Sequence, residues 1–171
     1  PDEHGVSGRL YAVEETSLKD LAAKKQEQIR KHVVDNVKKM LNVAGFEGRI
    51  EKAKKDNAYY VDPSYTLEQD IRDNEGRTVI EKGTEINPAD YAPLGKYVVI
   101  DGNDAQQVRF AMDQKPRQII IVSGNIAELS KKYGIRFFRA DEHLVAAFHI
   151  KRVPAIIEQH GRHIRVTEKA L

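Results

Sequence analysis

Between Arg139 and Glu168 the sequence carries an arrangement that few folds accommodate. A short apolar pattern of helical spacing (Leu144, Val145 and Phe148, led by Asp141) runs directly into Val153-Pro154. An apolar run from Ala155 to Glu158 follows, then His160-Gly161, then a second run from His163 to Thr167. Proline has no amide to give to a β-ladder, so it stands at the start or the edge of a strand. X-Pro bonds are also the linkages that adopt the cis form cheaply, in tight and fixed turns. The residues beyond Pro154 therefore read as two strands joined by a glycine turn. The residues from Lys96 onward are read as the rest of the same sheet.

From Lys96 the pattern alternates between strand and helix. Tyr97-Val98-Val99-Ile100 reads as a buried strand ending at Asp101-Gly102. Asp104 caps a helix carrying Ala105, Val108 and Ala111-Met112. Gln118 to Val122 is a nearly continuous β-branched run, as expected of a central strand covered on both faces. Asn125 with Glu128 three residues on has the spacing of a capping box, and Ile126, Leu129 and Tyr133 form the inner face of the helix that Gly134 ends. Ile135 to Arg139 reads as a third strand. The order β-α-β-α-β-α-β-β predicts a sheet with helices on both faces, in which the last two strands form an antiparallel hairpin beside the parallel part.

The part before Lys96 is of another kind. Residues 1–15 carry little apolar periodicity beyond a short extended piece at Leu10, Tyr11 and Val13, and are read as a mobile terminus. Thr16-Ser17 opens a long helix, with Asp20 in its first turn. Leu18, Leu21, Ala22, Ile29, Val33, Val37, Met40 and Leu41 form one apolar stripe down to Gly45. Phe46 to Asn57 is charged, and its pattern fits either a helical extension or a linker. Tyr59-Tyr60-Val61-Asp62-Pro63 begins a compact β region. A hairpin turns there at Asp73-Asn74-Glu75-Gly76, and further turns fall at Lys82-Gly83 and Asn87-Pro88. It closes at Tyr91-Ala92-Pro93-Leu94, with its tyrosines as packing and hydrogen-bonding anchors. The expected organisation is an N-terminal segment with its amphipathic helix (1–57), a small β region (58–95) and an α/β domain (96–171).

Composition narrows the chemistry. The chain has 171 residues, and its 28 basic residues are interleaved with 26 acidic ones for a net charge of +2, so no basic stripe suggests nucleic acid. No apolar run is long enough to span a bilayer. There is no cysteine, which removes disulfides, thiolate catalysis and cysteine-based zinc sites together. His160 and His163, with His149 upstream, lie around the hairpin turn without a carboxylate at ligand spacing, so they read as surface histidines rather than a metal site. Asp62, Asp70, Asp73 and Glu75 lack calcium-loop spacing and read as turn formers. Phosphate-binding glycine loops and the nucleophile elbow are missing from the sequence. Asp101 and Asp104 read as turn former and helix cap. No cofactor, metal or small-molecule substrate is expected.

The helix, X-Pro, strand, glycine turn and strand of residues 141–167 resemble the closing half of a thioredoxin-like domain. Such enzymes carry Cys-x-x-Cys at the turn after the opening strand, where a helix N-terminus lowers the thiolate pKa. Here that turn is Asp101-Gly102-Asn103-Asp104, which cannot exchange disulfides. The expected fold class is thus α/β: a redox-inactive thioredoxin-like C-terminal domain behind a small β-hairpin region and a long amphipathic helix. The resemblance also implies a site. In such folds the backbone before the fixed proline pairs with extended peptides by strand addition, which here points to Arg152, Val153 and Pro154.

Several short motifs, in order, resemble the TraW family of F-type conjugative transfer systems. They are Tyr59-Tyr60-Val61-Asp62-Pro63-Ser64, Asp70-Ile71 with the Gly76 turn, Gly83-Thr84 followed by Asn87-Pro88, and Tyr91 with Pro93-Leu94. Ile100-Asp101-Gly102, Ile119 to Val122 and Val153-Pro154-Ala155 continue the series. The resemblance runs from Leu10 to about Glu168. It implies a periplasmic, non-enzymatic protein that assembles the conjugative pilus and type IV secretion apparatus with TrbC-type and TraU-type partners. A cleavable signal peptide would fit a chain that opens on Pro1 without methionine. The apolar stripe (Leu21, Ile29, Val33, Val37, Met40) is the candidate partner-binding surface, unless the β region covers it. The alternative function is a chaperone-like peptide-binding module acting through Arg152, Val153 and Pro154.

Overall fold

The computed structural model describes residues 19–36 and 49–171. The expected N-terminal extended piece, the cap at Thr16-Ser17, and Leu18, Val37, Met40, Leu41 and Gly45 lie outside these residues. In chain order come helical residues 19–36 (α1), then six short strands: β1 (Glu51–Lys52), β2 (Asn57–Val61), β3 (Tyr65–Thr66), β4 (Ile71–Arg72), β5 (Thr78–Ile80) and β6 (Glu85–Ile86). A 3-10 turn at Pro88–Asp90 precedes β7 (Lys96–Asp101), α2 (Ala105–Asp113), β8 (Gln118–Ser123), α3 (Ile126–Tyr133) and β9 (Phe137–Arg139). The described chain closes with α4 (Glu142–Ala147), β10 (Arg152–Val153), β11 (Ala155–His160) and β12 (His163–Glu168).

The architecture is mixed α/β around a six-stranded sheet of order β2-β12-β11-β7-β8-β9. β7, β8 and β9 are parallel, whereas β11 runs antiparallel to β7 and pairs with β12 across the Gly161 turn. The pleat sends alternate residues to opposite faces. Val98, Ile100, Ile119, Ile121 and Ile156 face α2 and α3, where Val108, Ala111, Ile126 and Leu129 meet them. Val99, Ile120, Val122, Ala155, Ile157, Ile164 and Val166 form the other core, beneath Leu144 and Val145 of α4. Helices therefore cover both faces. Asp104, Asn125 and Asp141 cap α2, α3 and α4 through their side-chain oxygens, and Gly134 ends α3 in the left-handed conformation. The Val153-Pro154 bond is cis.

One strand lies where the sequence pattern does not put it. The sequence pattern makes Tyr59-Tyr60-Val61 the opening of the small β region, but Asn57–Val61 is an edge strand of the central sheet, antiparallel to β12 from Val61↔Ile164 to Asn57↔Glu168. The remaining β region makes two short antiparallel pairs, β3 with β6 and β4 with β5, the second turning through Asp73 to Gly76. It has its own core, in which Ile29 and Val33 of α1 meet Leu67, Ile80 and Ile86, with Tyr65, Ile71, Val79 and Tyr91 packed around them. Asn87 ties this region to the sheet. It caps the 3-10 turn by accepting from the Ala89 amide and donates to the Arg162 carbonyl at 3.0 Å. Arg162 holds Asp90 through two guanidinium nitrogens.

Candidate functional site

The redox-inactive turn follows directly from the local sequence. Asp101 accepts the Asn103 amide and the Ser123 hydroxyl on Oδ1, and its own amide donates to Gln107 Oε1 at 2.9 Å. Asp104 accepts the Gln106 and Gln107 amides, as an N-cap does. Burial pushes the Asp104 carboxyl up, but the Lys52 ammonium and those two amides outweigh it and hold the group below its ordinary value. Both carboxylates are thus engaged in shaping the turn and starting α2. Gly102 passes so close to β8 that its amide donates to the Ser123 carbonyl at 2.8 Å.

Arg152, Val153 and Pro154 sit beside this turn, and the edge formed by Arg152–Val153 already has a partner. β1 lies parallel to β10 in the register Glu51↔Arg152 and Lys52↔Val153. The Ala53 amide donates to the Val153 carbonyl at 2.8 Å. Lys52 reaches on to Asp104 at 3.2 Å, joining the segment to the head of α2. Ala53 is buried and Ile50 packs on the α4-side core, while Glu51 and Lys52 are exposed. Between this segment and the carboxyl ends of β7 and β8 lies a cavity of about 740 Å³, lined by Arg49, Ile50, Lys52, Asp101, Val122 and Ser123. Open α/β sheets commonly hold ligands in the crevice at those strand ends. On the other side of β10, Arg152 stands 3.6 Å from the buried Glu168 carboxylate, which also accepts from Asn57.

Residues 49–53 are the feature that the sequence pattern leaves undecided. The signal was faint: Ile50 and Ala53 are the apolar residues in an otherwise charged run from Arg49 to Asn57.

The stripe residues are split by the structure. Ile29 and Val33 are buried against the β region, and Leu21 is 58% exposed. Val37 and Met40 lie outside the described residues. Val34, which the stripe does not include, is also exposed. Beside the helix, His32 Nδ1 and the Tyr65 hydroxyl lie 2.8 Å apart with their rings stacked. Burial, followed by the Tyr91 phenol, pushes Tyr65 up to about 12.

His160 faces His163 across the hairpin and packs its ring near Tyr60. Among the described residues no three His, Cys, Asp or Glu side chains gather as a metal site. Asp62, Asp70 and Asp73 accept backbone amides at their turns, and Arg77 holds Asp73 and Glu75. Tyr59 anchors β2, its hydroxyl lying 2.9 Å from the Phe148 carbonyl and 2.8 Å from that of His149. Burial, then Glu168, pushes this phenol up to about 12. Tyr59→Phe should cost about 1 kcal/mol in urea unfolding, because it takes away the one hydroxyl proton that these carbonyls share, one of them partly buried. An unchanged midpoint would show that the hydroxyl contributes nothing.

No family model and no solved structure matches the chain. Among curated proteins it is similar to Protein TraW of Escherichia coli (strain K12), at 33% identity over 156 residues that cover 88% of this chain and 71% of that protein.

Proposed function

The chain belongs to the TraW family of conjugative transfer systems, and on that footing we propose that it is a periplasmic, non-enzymatic assembly protein of a type IV secretion apparatus. It serves pilus assembly by binding other transfer proteins, of TrbC and TraU type. The observation that carries this reading is the family relationship over most of the chain. The turn after β7 agrees with it, since its carboxylates are committed to capping and turn formation. Among the described residues no helix is long and apolar enough to cross a membrane. The domain from residue 96 onward is read as thioredoxin-like from its β-α-β-α-β-α-β-β order, with the N-terminal segment and small β region as separate units and β2 lent to the sheet.

The partner surface proposed on α1 is the exposed side of the helix at Leu21; Ile29 and Val33 hold that helix in place, and the stripe residues Val37 and Met40 lie outside the described residues. Co-purification with TrbC-type and TraU-type proteins tests the reading. Association is expected at about 10 μM of each protein, a concentration that detects free energies near −7 kcal/mol. Leu21→Asp should weaken it with the fold intact by circular dichroism. Absence of association with either partner would remove direct binding.

A second reading is a peptide-binding module at Arg152, Val153 and Pro154. What favours it is that the Arg152–Val153 edge does pair with an extended segment, namely the chain's own residues 51–53.

A further inference from the structure

We propose that residues 50–53 are a displaceable placeholder on the β10 edge, and that an extended segment of a partner protein exchanges for them. The inference rests on the peptide-binding reading and adds to it the state of the site, the route of entry and the chemistry of the incoming strand.

The hold on this segment is slight. β1 is two residues long, and β10 is the one strand it pairs with among the described residues. The ladder is extended by a single further bond, from the Ala53 amide to Val153. Both paired residues of β1 expose their side chains, and the Lys52–Asp104 ion pair is half open to water on the lysine side. Exposed ion pairs of this kind contribute little. Beneath the segment lies the cavity of about 740 Å³, where close-packed side chains would otherwise bind it to the sheet. Segments with few buried contacts and exposed ladder bonds open at low free-energy cost.

Release would expose the Val153 carbonyl, the space that takes the Ala53 methyl, the apolar ground under Ile50, and Asp104. These four features define what can replace it. An incoming strand must run parallel to β10 and supply a backbone N–H to Val153. It must carry a small residue in the Ala53 position and an aliphatic one in the Ile50 position. A Lys or Arg in the Lys52 position would meet Asp104. Main-chain bonds then supply affinity while alternate side chains supply selection. The placeholder hides a hydrophobic, hydrogen-bonding edge until such a strand arrives, which guards against indiscriminate pairing.

The probe is a fluorescein-labelled peptide of the chain's own residues 49–55, titrated into the whole protein and followed by anisotropy. If the placeholder limits access, apparent affinity scales with the fraction of molecules in which it is open. Lys52→Ala, which removes the ion pair at an exposed position, should tighten peptide binding about twofold over the unaltered protein, and Ala53→Pro, which removes the amide donated to Val153, about tenfold. A peptide with glutamate in the Lys52 position should lose that gain. The Ala53 amide should also exchange with deuterium far faster than those of Val99 and Ile120. Equal peptide affinity in the unaltered protein and both folded variants would overturn displacement while leaving the edge a peptide site. Binding to none of them would overturn displacement and the peptide-binding reading together. Either result leaves co-purification with transfer proteins to be judged separately.

Discussion

Val33→Asp should cost about 4 kcal/mol, through burial of a charge in an apolar core. Val33 is 2% exposed, and its neighbours are Ile29, Leu67, Ile80 and Ile86. These neighbours are all apolar, so the carboxylate has to stay protonated, draw in water or push α1 away from the β region. Because the members of this cluster belong to neither core of the central sheet, the damage should be local first. Limited proteolysis should cut within residues 19–36 and the β3–β6 region before the sheet gives way. Val33→Ala should cost about 2 kcal/mol by cavity formation alone. Leu21→Asp, at an exposed position, should stay within about 0.5 kcal/mol. Equal unfolding midpoints for the Asp variants at positions 21 and 33 would mean that α1 does not pack as described. The same ordering separates structure from recognition on one helix: partner binding lost through Leu21 cannot be ascribed to unfolding.

Gly102→Ala should lower stability by about 3 kcal/mol, at the upper end for overpacking. A Cβ at this position would stand 2.6 Å from the Ser123 carbonyl oxygen and 2.7 Å from Leu129 Cδ1. The leucine tip can turn aside. The carbonyl cannot, because it belongs to β8 and accepts the Gly102 amide. Relief therefore requires β7 and β8 to separate where they end, which also disturbs the Ser123–Asp101 bond. Gly134→Ala gives the contrast. Its φ of 69° is costly for alanine, yet nothing would lie within 4 Å of the added Cβ, so the penalty should be about 1 kcal/mol. Thermal unfolding of the two variants compares them directly, and a Gly102→Ala melt no lower than that of Gly134→Ala would refute the close approach.

What could be read from the sequence was what nearby residues decide. Asp104, Asn125 and Asp141 announce their helices because a cap acts within three residues, and the hairpin at Gly161 shows in a few consecutive letters. Val153-Pro154 marked a turn for the same reason. The apolar stripe of α1 was visible as a period, but a period does not name the surface that covers it. Leu67, Ile80 and Ile86 do so for Ile29 and Val33 from dozens of residues away. β2 and β1 were hidden more deeply. An edge strand buries little on its free side, and Glu51-Lys52 has no strand propensity to show. Their pairing is decided by the Val153 carbonyl and the residues of β12, about a hundred positions further on.

The place of β12 in the sheet sets the timetable of folding. It is an interior strand, flanked by β11 and by β2, and the Asn57–Glu168 contact closes a separation of 111 residues. Contacts so distant along the chain are slow to form, since a long loop must be closed before any reward arrives. During synthesis, residues 57–61 must wait with both β edges unpaired until residues 163–168 have emerged. A nascent chain of this kind keeps its central sheet incomplete until β12 is available to join β2 to β11.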